Sequence, residues 1–314
     1  MVSEQATYRH DLGKGSFLDA FPIDPKIERN DLEAFMRSRD QNIKPDLETI
    51  AKNVCFAASI DSLDDFEVNI SEREYQVPQQ LQAYREAVGK ASDAKGRYNG
   101  PVAIVDGAVN IPLKVFKGGY YDFIATKLGA VPHDLVPSQY PASKTIDELF
   151  REWNIDPDQR ARYLGFAYLM LTNNGKEVSF VQRAKGMAIA PDCIATPGST
   201  PNPDLSKKDF DFKAYCREHI NGELNEEYKL DAKEFEIGKL YLFDDKKEVP
   251  FTAIEIRTPL TTRDLAKRIH GNEQAIKEHP IICAISPESV QTMIERFPLF
   301  PSFVQILRVF SQHR

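Results

Sequence analysis

The nine residues Gly222-Glu223-Leu224-Asn225-Glu226-Glu227-Tyr228-Lys229-Leu230 constrain this chain more than any other stretch. They extend an apolar series, Phe212, Cys216, Ile220, Leu224 and Tyr228, whose steps of four predict a helix from about Phe210 to Tyr228. At about 100° per residue, Glu226 then falls about 60° to one side of Glu223 and Glu227 about 40° to the other. Glu223 and Glu227 are a like-charge i,i+4 pair, which costs an isolated helix about a few tenths of a kcal/mol. A divalent cation reverses the sign of that interaction. Mg²⁺ favours carboxylate oxygens, keeps several waters and meets substrate phosphates directly. Glu223, Glu226 and Glu227 are therefore candidate ligands for Mg²⁺, with Mn²⁺ as the alternative. The competing explanation is a Glu-rich helix face that is merely solvated.

The flanking pattern gives that helix a context. Tyr163 to Thr172 (YLGFAYLMLT) predicts a buried strand. Asn173-Asn174-Gly175 is a turn signal, and Glu177 to Arg183 (EVSFVQR) completes a hairpin. Met187 to Thr196 leads into Pro197-Gly198, and Thr200 to Asp211 is polar with Pro201 and Pro203, as expected of an exposed loop. After the helix, Glu236 to Phe243 and Phe251 to Arg257 predict two more strands around Asp244-Asp245-Lys246-Lys247. Glu255 interrupts the apolar run Ala253 to Ile256. Either it faces the acidic groove or it follows the alternation of a half-buried strand. Asp192, Asp209 and Asp211 are further acidic residues near the presumed groove.

The acidic stretch resembles the second half of the Nudix box, the signature of the Nudix hydrolases. That pattern is Gly, five residues, Glu, seven residues, then Arg-Glu-U-x-Glu-Glu-x-Gly-U, with U aliphatic. Glu223, Leu224, Glu226, Glu227 and Leu230 match it. Gly222 replaces the Arg and Lys229 the Gly, while Lys208 and Ala214 occupy the upstream Gly and Glu positions. Thr196-Pro197-Gly198-Ser199 looks like the family's strand-ending Pro-Gly turn, displaced by an insertion. Hairpin, Pro-Gly turn, acidic helix, hairpin is the order of that family's fold, and the likeness covers about residues 160–269. Val115 to Thr126 (VFKGGYYDFIAT) is also similar to a segment of one Nudix subgroup, which has an N-terminal domain and hydrolyses UDP-glucose and UDP-galactose. A Gly-Gly turn opening a helix with core aromatics accounts for most of the same residue types.

The resemblance implies hydrolysis of a nucleoside diphosphate linked to another group. The preferred reaction takes a UDP-sugar to UMP and a sugar 1-phosphate. Mg²⁺ on Glu223, Glu226 and Glu227 would stabilise developing charge and acidify a bound water, and one of these carboxylates or Glu255 would take its proton. His219, four residues before Glu223, either substitutes for the missing Arg by bonding Glu223 or is a surface histidine.

The N-terminal half is less patterned. Residues 1 to about 45 are polar, with a short helix expected at Asp31 to Arg37 and a mobile segment at Gly13-Lys14-Gly15-Ser16, which is not a Walker A loop. Strands are expected at Asn53 to Ile60, Phe66 to Ile70, Pro101 to Val105 and Ala108 to Phe116, and helices at Val77 to Ala91, after Gly118-Gly119, and at Thr145 to Trp153. Val131 to Ala142, with three prolines, is expected to be a connecting loop. At the other end, a strand at Ile281 to Ile285 and helices at Pro287 to Phe297 and Phe303 to Phe310 are expected.

Composition narrows the function classes. With 314 residues the chain is long enough for two ordinary domains. A net charge of −7 argues against non-specific nucleic-acid binding, which needs a basic footprint. No apolar run reaches the roughly 18 residues of a membrane span, and MVSEQATYRHDLGKG has no signal-peptide core. The six histidines show no HExxH or HxxxH spacing, which disfavours a zinc protease. Four widely spaced cysteines without a CxxC pair read as reduced thiols of a cytoplasmic protein.

The expected fold is mixed α/β. A small α+β N-terminal domain (1–155) precedes a Nudix-like α/β/α sandwich with a mixed sheet (156–314). The expected partner is a small nucleoside diphosphate substrate, with no nucleic acid and no membrane, and the sequence leaves the oligomeric state open. Two other readings stand beside this one: an inactive Nudix-fold binding module, and a protein-interaction domain whose acidic helix is surface.

Overall fold

A strand that is buried on both faces must be apolar at every position, and GFAYLMLT at Gly165–Thr172 has that character. It lies in the middle of a ten-stranded mixed sheet. The structure, a computed structural model, describes residues 7–39, 46–93, 99–126, 146–185, 193–246, 249–297 and 299–313. In chain order, the hairpin Tyr8–Gly13 (β1) and Ser16–Pro22 (β2) precedes helices Arg29–Arg39 (α1) and Leu47–Asn53 (α2). Strands Val54–Ile60 (β3) and Val68–Glu74 (β4), helix Gln82–Asp93 (α3), strands Pro101–Val105 (β5) and Leu113–Gly119 (β6), and helices Tyr120–Thr126 (α4) and Ile146–Glu152 (α5) follow. The central strand Gly165–Thr172 is β7, succeeded by Glu177–Gln182 (β8), Ile194–Ala195 (β9) and Gly198–Ser199 (β10). Helix Phe212–Tyr228 (α6) leads to the hairpin Glu236–Asp245 (β11) and Phe251–Arg257 (β12). The chain ends with Thr262–Ile269 (α7), Glu273–Glu278 (α8), Ile281–Ile285 (β13), Val290–Arg296 (α9) and Pro301–His313 (α10).

The main sheet runs β1-β2-β13-β8-β7-β12-β11-β3, with β9 added to β8 and β10 to β7. Among its described strands, β7 and β12 are the pair that runs parallel, Phe251 opposite Gly165 and Arg257 opposite Leu171. Side chains alternate between two cores. Phe166, Tyr168 and Met170 of β7 join Phe212, Cys216, Ile220 and Leu224 of α6 and Leu265 and Ile269 of α7 on one face. Leu169 and Leu171 join Phe303, Ile306 and Phe310 of α10 and Met293 of α9 on the other. This is the expected α/β/α layering with a mixed sheet, and the expected order of hairpin, Pro-Gly segment, acidic helix and hairpin is present.

The first half of the chain departs from expectation. The sheet does not stop at residue 156: β1 and β2 extend one edge through β2–β13 pairing, and β3 caps the other edge on β11. Sheet edges carry unpaired backbone groups that neighbouring segments are driven to cover, and a polar N-terminal segment gives little sign of doing so. Gly13-Lys14-Gly15-Ser16 forms the β1–β2 turn, with Gly13, Lys14 and Gly15 all at positive φ (84°, 53° and 77°). What remains of the expected N-terminal unit is the three-stranded sheet β4-β6-β5 with α3 and α4 on its outer face. Its inner residues Ala103, Val105, Leu113 and Val115 enter the same core as α6. Phe66 meets Phe212 edge-on at 6.1 Å.

Gly118 and Gly119 end β6 where side chains press close: a Cβ on Gly118 would come within 2.5 Å of Ile104 Cγ1. Close packing accounts for these two glycines. The expected loop at Val131–Ala142 and residues 187–192 of the segment leading into Pro197, Asp192 among them, lie outside the described residues. Residues 200–211 are a loop, as expected, but not wholly exposed: Pro201, Pro203 and Leu205 are buried. The Asn202 N–H donates to Tyr215 Oη at 2.6 Å. No described helix is long and apolar enough to cross a membrane. The four cysteines are free thiols, and burial pushes those of Cys216 and Cys283 well above the ordinary range.

Candidate functional site

α6 is fixed at both ends, which sets the angular position of every carboxylate on it. Asp211 caps its start, accepting from the N–H groups of Lys213 (2.9 Å) and Ala214 (3.0 Å). Asp211 therefore serves the helix, and Asp209 lies exposed in the preceding loop. At the far end Lys229 adopts the left-handed conformation (φ 54°, ψ 37°), and Leu230 N–H donates to Leu224 O at 3.2 Å. This is the Schellman closure in which glycine is favoured. Lys229 thus makes the turn that Gly makes in the resembled motif, at a conformational cost. Gly222 is different: nothing lies within 4 Å of where its Cβ would be, so the absent Arg leaves open space rather than a repacked contact.

The apolar edge of α6 buries Phe212, Cys216, Ile220, Leu224 and Tyr228, as the spacing predicts. Glu223 is half-buried, Glu226 exposed, and Glu227 only 7% exposed. Burial, then Glu227, Glu226 and Glu278, push Glu223 up to about 7. Burial and then chiefly Glu227 raise Glu278 above the ordinary carboxylate range. The structure thus gathers Glu223, Glu226 and Glu227 at one place and adds Glu278 and His279 from the end of α8. His279 is 2% exposed, and ligand atoms of Glu227, Glu278 and His279 lie within 4.8 Å of one another.

Glu255 is not part of this group. Strand alternation sends Ile254 and Ile256 toward α6 and Glu255 to the opposite face of the sheet. There it is 2% exposed, accepts from Tyr241 Oη at 2.6 Å, and pairs with Arg257 Nε at 3.1 Å and Nη2 at 2.5 Å. Its acceptor capacity is used by these structural partners.

His219 is more buried than a surface histidine. It stacks on Tyr215 at 5.8 Å, and its Nε2 lies 2.8 Å from Ser199 Oγ, which lies 2.6 Å from Tyr168 Oη. Burial lowers its pKa to about 4. Its Nδ1 is 3.9 Å from Glu223 Oε1, beyond hydrogen-bond distance, so it does not take over the role of the missing Arg.

Ser199 also lines a cavity of about 240 Å³ together with Phe123, Phe166, Arg183, Phe251 and Phe300. Arg183 follows β8, and its guanidinium, whose pKa burial lowers, is within electrostatic reach of Glu278 and Glu227. Ser199 is placed by β10, which lies against β7 with Gly198 opposite Ala167. A Cβ on Gly198 would come within 2.6 Å of Phe166 O, so glycine permits the approach. Sequence reasoning missed Glu278, His279, Arg183 as a cavity residue, and Phe123. Only the adjacent Glu-His pair before β13 carried a signal, and no spacing rule connects it to α6.

The residues present fit a divalent cation. Several carboxylates crowd together, and Glu227 Oε2 and both ring nitrogens of His279 are buried without a hydrogen-bond partner. Unpaired buried polar atoms are rare in folded proteins and ask for an explanation such as an ion.

No family model matches the chain, and no curated protein does so. Among solved structures it is similar to DR0079 from Deinococcus radiodurans, with TM-score 0.34 and 10% identity over 46% of this chain and 81% of that one. It is also similar to the MutT protein from Methanosarcina mazei Go1, with TM-score 0.31 and 17% identity over 48% of this chain and 94% of that one.

Proposed function

We propose that this protein is a divalent-cation-dependent pyrophosphohydrolase of Nudix type, acting on a nucleoside diphosphate linked to a second group, with a UDP-sugar as the preferred substrate and UMP and a sugar 1-phosphate as products. The observation that carries this reading is the convergence of Glu223, Glu226, Glu227 and Glu278 beside the cavity lined by Ser199 and Arg183. A cation held there by Glu223, Glu226 and Glu227 would neutralise charge on a diphosphate and acidify a water. The water's proton would pass to a carboxylate free of the cation, because ligation would pull Glu223 below the value of about 7 that burial and its acidic neighbours give it. Glu255 drops out of that role because Tyr241 and Arg257 occupy it. Arg183 offers positive charge at the junction of cavity and carboxylates, which suits a diphosphate. The aromatic lining from Phe123, Phe166 and Phe300 offers apolar surface for a nucleoside.

A second reading, a module that binds a nucleotide without hydrolysing it, is favoured by the open space at Gly222, where the resembled motif has an Arg. A turnover screen of UDP-sugars, ADP-ribose, dinucleoside polyphosphates and NADH, with and without Mg²⁺ or Mn²⁺, separates the two. Cation-dependent release of a nucleoside monophosphate supports hydrolysis. Nucleotide-induced thermal stabilisation without turnover supports the binding module, and neither effect sinks both.

A further inference from the structure

At the end of α6, buried polar atoms meet with nothing to bond. Glu227 Oε2, His279 Nδ1 and Nε2, and the Tyr228 hydroxyl are inaccessible and have no hydrogen-bond partner. Each such orphan is destabilising, because it has lost its hydration with no hydrogen bond in return. His279 Nε2 stands 3.8 Å from Glu227 Oε2 and 4.0 Å from Glu278 Oε2. Those separations are too long for hydrogen bonds. They are close to the spacing of two ligands on one ion: with bonds of about 2.1 Å, neighbouring ligand atoms lie about 3.0–3.4 Å apart. A contraction of about half an ångström at these two contacts would close them, and the two carboxylates, whose ligand atoms lie within 4.8 Å, would draw together by up to about 1.4 Å.

The segment carrying Glu278 and His279 is well anchored. His279 N–H donates to Ala275 O at 2.7 Å, ending α8. Pro280 O accepts from Ile23 N–H at 2.8 Å and Asp24 N–H at 3.2 Å, tying the segment to the end of β2. Glu227 is held equally firmly by α6. The orphaned atoms are therefore presented to one another by two fixed elements, and the half-buried Glu278 side chain leaves a route to solvent.

We propose that Glu227, Glu278 and His279 together hold one first-row transition cation of the Zn²⁺ and Mn²⁺ class in preference to Mg²⁺, leaving positions open for water or phosphate oxygens. The discriminating ligand is the imidazole of His279. Mg²⁺ demands oxygen donors and dehydrates reluctantly, whereas imidazole nitrogen suits zinc, iron and nickel, and mixed nitrogen and carboxylate sets select transition ions. Two carboxylates bring a charge that a divalent ion cancels, and three protein ligands leave the coordination incomplete, as in reactive rather than purely structural sites. The inference goes beyond the hydrolase reading and does not depend on turnover.

The test is calorimetric titration of the full-length, chelator-stripped chain with Zn²⁺, Mn²⁺ and Mg²⁺ separately, alongside electron spin-echo spectroscopy of the Mn²⁺-loaded protein. The expected result is one-to-one binding, with Zn²⁺ more than about tenfold tighter than Mg²⁺. Spin-echo modulation from a ¹⁴N nucleus is expected in the parent protein and not in His279→Ala. That substitution should weaken Zn²⁺ by more than about tenfold and leave Mg²⁺ nearly unchanged. If His279→Ala does not fold by circular dichroism, Glu278→Gln replaces it in the affinity measurement, and the ¹⁴N signal of the parent stands alone as the ligand test. Mg²⁺ binding as tight as Zn²⁺, no ¹⁴N modulation in the parent, or affinity indifferent to both substitutions overturns the inference. Zn²⁺ bound through His279 without turnover of any nucleotide supports it while removing the hydrolase reading. Mg²⁺-driven turnover together with a Zn²⁺ affinity indifferent to His279→Ala does the reverse.

Discussion

His219 stands one helical turn before Glu223, its Nδ1 3.9 Å from Glu223 Oε1 and its Nε2 2.8 Å from Ser199 Oγ. Burial brings the ring down to about 4, so it is neutral at pH 7 and gives Glu223 no compensating charge. One consistent set of donors runs from Tyr168 O–H to Ser199 Oγ and from Ser199 O–H to His219 Nε2, with the His219 Nδ1–H turned toward Glu223. The ring is thereby oriented without neutralising the carboxylate. Glu223 is left under the combined pressure of burial and of Glu227, Glu226 and Glu278.

That pressure makes stability depend on pH. The folded-state value of Glu223, about 7, lies above the ordinary 4.5. Between those values the folded protein keeps a proton that the unfolded chain has released, so this group's stabilisation is complete below the lower value and lost as pH rises through about 7. In a chelating buffer, the melting temperature of the parent should fall more steeply from pH 5 to 8 than that of Glu223→Gln. Equal slopes would show that Glu223 titrates normally.

Glu227→Gln keeps shape and removes a charge whose Oε2 has no protein partner. Folding should survive, with relief of the like-charge pair with Glu223. Hydrolysis, if present in the parent, should fall by orders of magnitude, since charge stabilisation and water activation both depend on the cation. Initial rates on a substrate identified by the turnover screen measure this, and an unchanged rate would remove Glu227 from the mechanism.

Glu255 should behave in the opposite way. Glu255→Ala leaves Tyr241 Oη and the Arg257 guanidinium without their shared acceptor on the far side of the sheet. We expect a loss of roughly 1–3 kcal/mol in denaturant unfolding with cation affinity within about twofold of the parent. A selective loss of cation binding without loss of stability would reverse this assignment.

Lys229→Gly should stabilise the protein. A non-glycine residue at φ 54° pays a steric cost that glycine escapes, and the expected gain is about 1 kcal/mol. The Lys229 side chain gives up only a 3.2 Å bond from its exposed Nζ to Glu226 O. Chemical denaturation of the two proteins checks it, and a midpoint that falls would mean that the contact outweighs the strain.

The sequence by itself determined the local elements. The four-residue steps of Phe212, Cys216, Ile220, Leu224 and Tyr228 fix both α6 and the edge it buries, because helical periodicity is a property of neighbouring residues. The same holds for the β7–β8 hairpin around Asn173-Asn174-Gly175 and for the relative placement of Glu223, Glu226 and Glu227. Tertiary structure alone decided which face Glu255 presents, since strand alternation names two faces but not which one the helix covers. It also decided that a polar N-terminal hairpin completes the sheet beside β13, where edge pairing is set by backbone groups common to every sequence. The meeting of Glu227 with His279 belongs to the same class: α8 lies far along the chain from α6, and only the packing of both against one sheet brings a carboxylate and an imidazole to 3.8 Å.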